Sequence, residues 1–176
     1  MHRRLEELVA GFELSTYREN TFEQVFCAEL LQAAWLAGRP PLEIDRPFVD
    51  FAGYDLVVTC GPVTRHVQLK ATAGQITVHR ALATKPSGCV VNLRPLVAGD
   101  PARIGFRYDL YADEPGTPLD LEGLRAARKA HNTRQPDGGF GKAERLQHVV
   151  VPVSRFTRNL DVDHLLGGLF GPAPVA

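Results

Sequence analysis

The sequence predicts an α/β domain, and three observations carry that reading. Apolar residues recur at helical spacing over residues 21–37, two β-rich runs flank a Gly61-Pro62 turn soon afterwards, and further strand and helix patterns follow towards the C-terminal end. A chain of 176 residues with 44% hydrophobic residues can bury one good core and is short for two. Residues 1–176 are therefore read as a single domain.

In the first element, Phe22, Val25, Phe26, Leu30, Ala33 and Leu36 form one apolar face, and Gly38-Arg39-Pro40-Pro41 stops the helix. Residues 54–60 and 65–71 predict an antiparallel hairpin across the Gly61-Pro62 turn. Residues 89–93, 105–111 and 148–153 predict strands, while 119–131 and 162–170 predict helices. Residues 132–141, with Pro136, Gly138, Gly139 and Gly141, predict a loop. Phe106, Tyr108 and Tyr111 alternate only in part, which assigns them to a core rather than to base stacking.

Formal net charge is zero, so nucleic-acid binding would have to come from a local patch. The charge is segregated: residues 100–122 are acidic, whereas residues 123–158 carry Arg125, Arg128, Lys129, Arg134, Lys142, Arg145, Arg155 and Arg158 against Asp137 and Glu144. Lysine and arginine neutralise phosphates whatever the base sequence, which makes Lys142, Arg145, Arg128 and Lys129 the candidate nucleic-acid contacts. Cys27, Cys60 and Cys89 lack the spacing of a structural zinc site and read as reduced cysteines of a cytoplasmic protein. The N-terminal residues alternate charged and apolar side chains unlike a secretory signal, and no segment has the roughly 18 apolar residues of a membrane span.

Chemistry concentrates in the hairpin. Strand alternation puts Asp55 and Thr59 on one face of the first arm, and His66, Gln68 and Lys70 on one face of the second. Antiparallel pairing about Pro62 brings Asp55 opposite the region of Gln68 and Lys70, within cross-strand reach. A carboxylate and an amide oxygen suit a hard cation such as Mg²⁺, with Mn²⁺ as substitute, and a lysine can stabilise or deprotonate an attacking water. The Leu69 carbonyl offers a further donor. Gln68 is neutral, so the site needs a further carboxylate from the preceding helix. Glu29 projects from the apolar face, where a carboxylate is costly unless paired or metal-bound, and Glu23 sits on its flank. His66 shares the polar face and reads as an ordinary polar residue. His148 and His164, with the Ala130-His131-Asn132 string, lack the local hairpin-helix arrangement of a ββα-metal nuclease.

The order TFEQVFCAELL, a glycine closing the helix, GYDLVV, a short turn and VQLKAT resembles the core of the PD-(D/E)xK nuclease superfamily. It is most similar to the Mrr-like restriction endonucleases, in which glutamine often replaces the motif's acidic residue. The resemblance covers about residues 21–72; Asp55 matches the motif's aspartate, Gln68 its variable acidic position and Lys70 its lysine. Tyr54 stands where a proline often precedes the aspartate. The Phe-Glu pair of the Mrr-like helix falls on Phe22-Glu23, against the burial argument for Glu29, so both glutamates stay open with Glu23 preferred.

The resemblance implies a restriction-endonuclease-like core with a central mixed β-sheet flanked by α-helices. It also implies a Mg²⁺-dependent DNA endonuclease of restriction, defence or repair, and a homodimer as one mode of action. Asp55, Gln68, the Leu69 carbonyl and Glu23 would be the metal ligands. The rival expectation is an inactive nuclease-fold module that binds nucleic acid or a protein partner; an assembly subunit with neither property is the third.

Overall fold

The computed structural model describes residues 15–49, 53–99, 102–128, 133–134, 140–141 and 144–173. It opens with helix α1 (Ser15–Leu36), which buries Phe22, Phe26, Leu30, Ala33 and Ala34. The predicted glycine stop is realised: Gly38 takes φ 63°, its amide donates to the Trp35 carbonyl, and the Arg39 amide donates to that of Ala34.

The strands are β1 (Leu42–Asp45), β2 (Leu56–Cys60), β3 (Val63–Lys70), β4 (Ile76–His79), β5 (Gly88–Ala98) and β6 (Arg103–Ala112), followed by β7 (Ala126–Arg128), β8 (Thr133–Arg134), β9 (Phe140–Gly141), β10 (Glu144–Val151) and β11 (Thr157–Leu160). Helix α2 (Val162–Phe170) closes the fold. The central sheet has six strands in the order β1-β2-β3-β5-β6-β11 and is mixed, because β3 and β5 run parallel while the other neighbours are antiparallel. The protein is thus α/β with a mixed central sheet, as the sequence predicts.

Both helices lie on the same face of that sheet. Their apolar residues share a core with Leu56, Val58, Val67, Cys89, Val91, Tyr108 and Leu110. The opposite face is partly covered by a three-stranded sheet, β4-β10-β7, through a second core that includes Val78, Leu82, Val90, Tyr111, Val149 and Phe156. The hairpin β2-β3 forms as predicted, with Leu56 opposite Val67 and Cys60 opposite Val63. Phe106, Tyr108 and Tyr111 are buried, and Cys27, Cys60 and Cys89 are free thiols.

The predicted helix over residues 119–131 does not form within residues 119–128, and residues 129–131 lie outside the described chain. Leu119 and Leu121 drop into the second core from irregular backbone, and Gly123 at φ 68° turns the chain by a conformation outside the right-handed helical region. Side chains hold the segment: the Asp120 amide donates to Asp113 Oδ2 at 2.8 Å, and the Tyr111 hydroxyl donates to the Asp120 carbonyl. Within the predicted loop 132–141, residues 133–134 pair with residues 140–141, and the rest lies outside the described residues. Pattern reading also passes over the short strands β1, β4 and β11.

One residue on the helix-facing side of the hairpin is an arginine. Arg65 is buried, donating from Nε to the Leu169 carbonyl at 2.7 Å, from Nη1 to the Asp113 carbonyl at 2.7 Å and from Nη2 to the Gly168 carbonyl at 3.4 Å. A cation at the negative end of α2, satisfying carbonyls the helix itself cannot pair, fastens that helix to β3. Among the described residues no helix is long and apolar enough to cross a membrane.

Candidate functional site

Alternation along β2 and β3 sends Leu56, Val58 and Val67 into the helix-facing core and leaves Asp55, His66, Gln68 and Lys70 for the other side. Asp55 sits just before β2. Its amide donates to the Val67 carbonyl at 2.8 Å, and its Oδ2 accepts from the Leu69 amide at 2.6 Å. The carboxylate is thereby seated on the backbone between Gln68 and Lys70. Structure and sequence agree on this juxtaposition.

Gln68 is buried, and its Oε1 accepts from the His79 amide at 3.4 Å, which turns the amide oxygen towards the end of β4. His79 also meets the other side of the site: a Cβ built on Gly53, two residues before Asp55, would stand 2.3 Å from His79 Cβ. Only glycine permits that approach, and the φ of 71° at Gly53 suits it too. The His79 ring meets His148 edge to face at 4.9 Å, and its Nδ1 accepts from the Ala81 amide. Sequence reading does not select His79, because no motif marks it; its place comes from the second sheet.

The helix glutamates separate. Glu23 pairs with Arg46 Nε at 2.7 Å. Arg46 follows Asp45, which stands opposite Val57, so Glu23 is held at the end of the hairpin where Asp55 lies. Glu29 instead accepts from the hydroxyl of Tyr108 on β6, two strands beyond β3 in the sheet order. Burial pushes the Glu29 carboxyl above its usual value, while Tyr108 and the Phe106 backbone pull it back. Glu29 thus braces α1 against β6, away from Asp55.

His66 stacks edge to face on Tyr54 at 4.9 Å, and its Nδ1 lies 3.1 Å from the Pro86 carbonyl. Burial lowers its pKa, the Pro86 contact raises it and Lys85 lowers it further. Lys70 stands opposite Asn92, whose Nδ2 donates to the Thr72 carbonyl at 3.1 Å and to Asp109 Oδ2 at 3.3 Å. Of the predicted phosphate contacts, Arg128 and Arg145 are exposed on β7 and β10, and Arg145 Nη2 lies 3.1 Å from His148 Nε2. Lys129 and Lys142 lie outside the described residues.

Among the described residues no group of three or more His, Cys, Asp or Glu side chains stands ready to hold a metal ion. A cation at Asp55 would therefore draw on neutral oxygens as well, those of Gln68 and the Leu69 carbonyl. That donor set fits Mg²⁺, which keeps several waters and is commonly held by one or two carboxylates together with substrate phosphates. No protein-family model, curated protein or solved structure matches this chain.

Proposed function

We propose that this protein is a metal-dependent nuclease of the PD-(D/E)xK kind, acting on phosphodiester bonds of DNA. The observation that carries the reading is the Asp55 carboxylate bonded to the Leu69 amide, between Gln68 and Lys70 on one face of the hairpin.

Asp55 and the oxygens of Gln68 and Leu69 would hold the cation, and Glu23 is the helix carboxylate at the same end of the hairpin. Mg²⁺, when bound, supplies a Lewis acid that lowers the pKa of water and neutralises charge on the phosphate. Lys70 orients the attacking water and offsets the negative charge that develops in the transition state. Two protomers acting together would reach both strands of a duplex. Restriction, defence and repair are the settings in which such a cut is useful.

A second reading is favoured by the neutral Gln68, whose oxygen already accepts from His79: the scaffold holds DNA or a protein partner and does not cut. Incubation with supercoiled plasmid and Mg²⁺ or Mn²⁺ decides between them. Nicking by the wild type, lost with EDTA and in Asp55→Ala and Lys70→Ala, is the expected result. Salt-sensitive binding with no nicking in either metal would replace the first reading by the second.

A further inference from the structure

The sheet face that carries Lys70 continues past the second core into an arginine surface. On β5 and β6, Val91, Leu93, Tyr108 and Leu110 point into the helix-side core, so alternation puts Asn92, Arg94, Arg103, Arg107 and Asp109 on the other face. Val90 and Tyr111 on that face are covered by the second sheet. One row further along, Lys70, Asn92 and Asp109 stand side by side; in the next, Arg94 stands directly opposite Arg107.

Like charges in direct cross-strand register destabilise a sheet, so the fold does not gain from the Arg94–Arg107 pair. Asp109, with its side chain 5% exposed, is the acid at the centre: its Oδ1 lies 3.8 Å from Arg94 Nη1 and 3.9 Å from Arg158 Nε, and accepts from the Asn159 amide at 3.0 Å. Asp161 lies close enough to Arg107 to feel its charge, and also bonds His164. One buried carboxylate thus gathers two guanidiniums whose side chains remain 45% and 53% exposed. Arg103 and Arg107, both exposed, extend the same face along β6 over about 14 Å at roughly 3.4 Å per residue. That length exceeds one phosphate and suits a stretch of nucleic-acid backbone, which carries a charge about every 3.4 Å per strand.

We infer that Arg94, Arg107 and Arg158, with Arg103 beyond them, form a track for the DNA phosphate backbone that leads to Lys70, and that Asp109 positions two of these arginines. The inference rests on the nuclease-fold reading above for its ligand. It moves the main backbone contact from the second sheet to the open end of β5 and β6.

The test is anisotropy of a fluorescein-labelled DNA duplex, and of its single strand, titrated with the full chain in EDTA over a range of salt concentrations. The Arg94→Gln/Arg107→Gln protein should bind about tenfold or more weakly near 0.1 M salt, with the log-log salt slope reduced by about one for each arginine removed. Arg107→Gln alone leaves Arg94 and Arg158 on Asp109, so it answers the question if the double variant melts early. Wild-type affinity and slope in Arg107→Gln, weakening confined to Arg128→Gln and Arg145→Gln, or no DNA binding by the wild type would each overturn the inference. Arginine-dependent binding without metal-dependent nicking leaves the track standing and removes the nuclease; nicking with arginine-independent binding does the reverse.

Discussion

Asp55 Oδ2 accepts a hydrogen bond from the Leu69 amide at 2.6 Å, so one carboxylate both closes the end of the hairpin and faces the proposed chemistry. The two roles separate by substitution. Asp55→Asn retains a carbonyl oxygen for the Leu69 amide and should melt near the wild type, yet show no plasmid nicking. Asp55→Ala leaves that amide without its acceptor, at a cost of about 1–3 kcal/mol, and should be both inactive and less stable. Equal melting temperatures for the two variants would show that the bond does not hold the hairpin end.

The neutral Gln68 makes a gain of function available. Gln68→Glu adds charge at an oxygen position already oriented by the His79 amide. A second carboxylate should lower the Mg²⁺ concentration for half-maximal nicking on the order of tenfold, since cation affinity follows the charge of the ligand set. An unchanged Mg²⁺ dependence in an active variant would show that Gln68 does not face the cation.

Helical spacing favours Glu29 and the motif favours Glu23, and the structure assigns them different neighbours. Glu29 has a carboxyl raised by burial, and its partner Tyr108 is raised also, by burial and by Glu29. A carboxyl with a folded-state pKa above its unfolded value binds its proton more tightly in the fold. The stability it contributes is full below the ordinary carboxylate pKa and is lost as pH rises through the folded value. Glu29→Gln should flatten that decline in a pH series of denaturant titrations and leave nicking intact, whereas Glu23→Gln should lower nicking. The reverse assignment of activities would return Glu29 to the site.

The hairpin and its two faces are legible in the sequence because a period-2 pattern and a Gly-Pro turn set side chains on faces without any long-range information. The glycine stop at Gly38 is legible for the same local reason. Residues 119–128 read as helix because their leucine spacing fits a helical stripe, while the forces that unwind them come from Asp113 and Tyr111 on β6 and its end. His79 carries no local signal for a related cause: it acquires its meaning from the pairing of β4 with β10, strands far apart in sequence. The Arg94–Arg107 pair lies across the β5-β6 hairpin, at a position beyond the predicted strand over residues 89–93. Arg65 is the clearest case, since nothing near it in sequence foretells the carbonyls of α2.

Arg65 in turn carries a stability prediction. Its guanidinium reaches the carbonyls of Leu169, Gly168 and Asp113 from a buried position, where burial lowers its pKa and the neighbouring Cys89, Glu114 and Asp113 raise it. Arg65→Ala should cost about 3 kcal/mol or more in urea unfolding, since each buried acceptor left without its donor costs about 1–3 kcal/mol. Arg65→Met fills the volume but still strands the carbonyls, so it should recover only part of the stability. Full recovery by methionine would mean that packing, rather than the bonds to the end of α2, holds the helix on β3.

Cys89 gives a second pH signature at the opposite end of the scale. Burial pushes its thiol from 9.0 up to about 12, although Arg65 lowers it somewhat. The folded state therefore keeps the thiol proton where the unfolded chain has lost it, so this contribution to stability is present below pH 9 and falls as pH rises towards 12. Thiolate is the reactive form, so native protein at about pH 8 should resist iodoacetamide at Cys89, and urea should expose it to rapid alkylation. Mass spectrometry of peptides after brief labelling reads this directly: fast native labelling of Cys89 would show that the β3-β5 core opens without global unfolding.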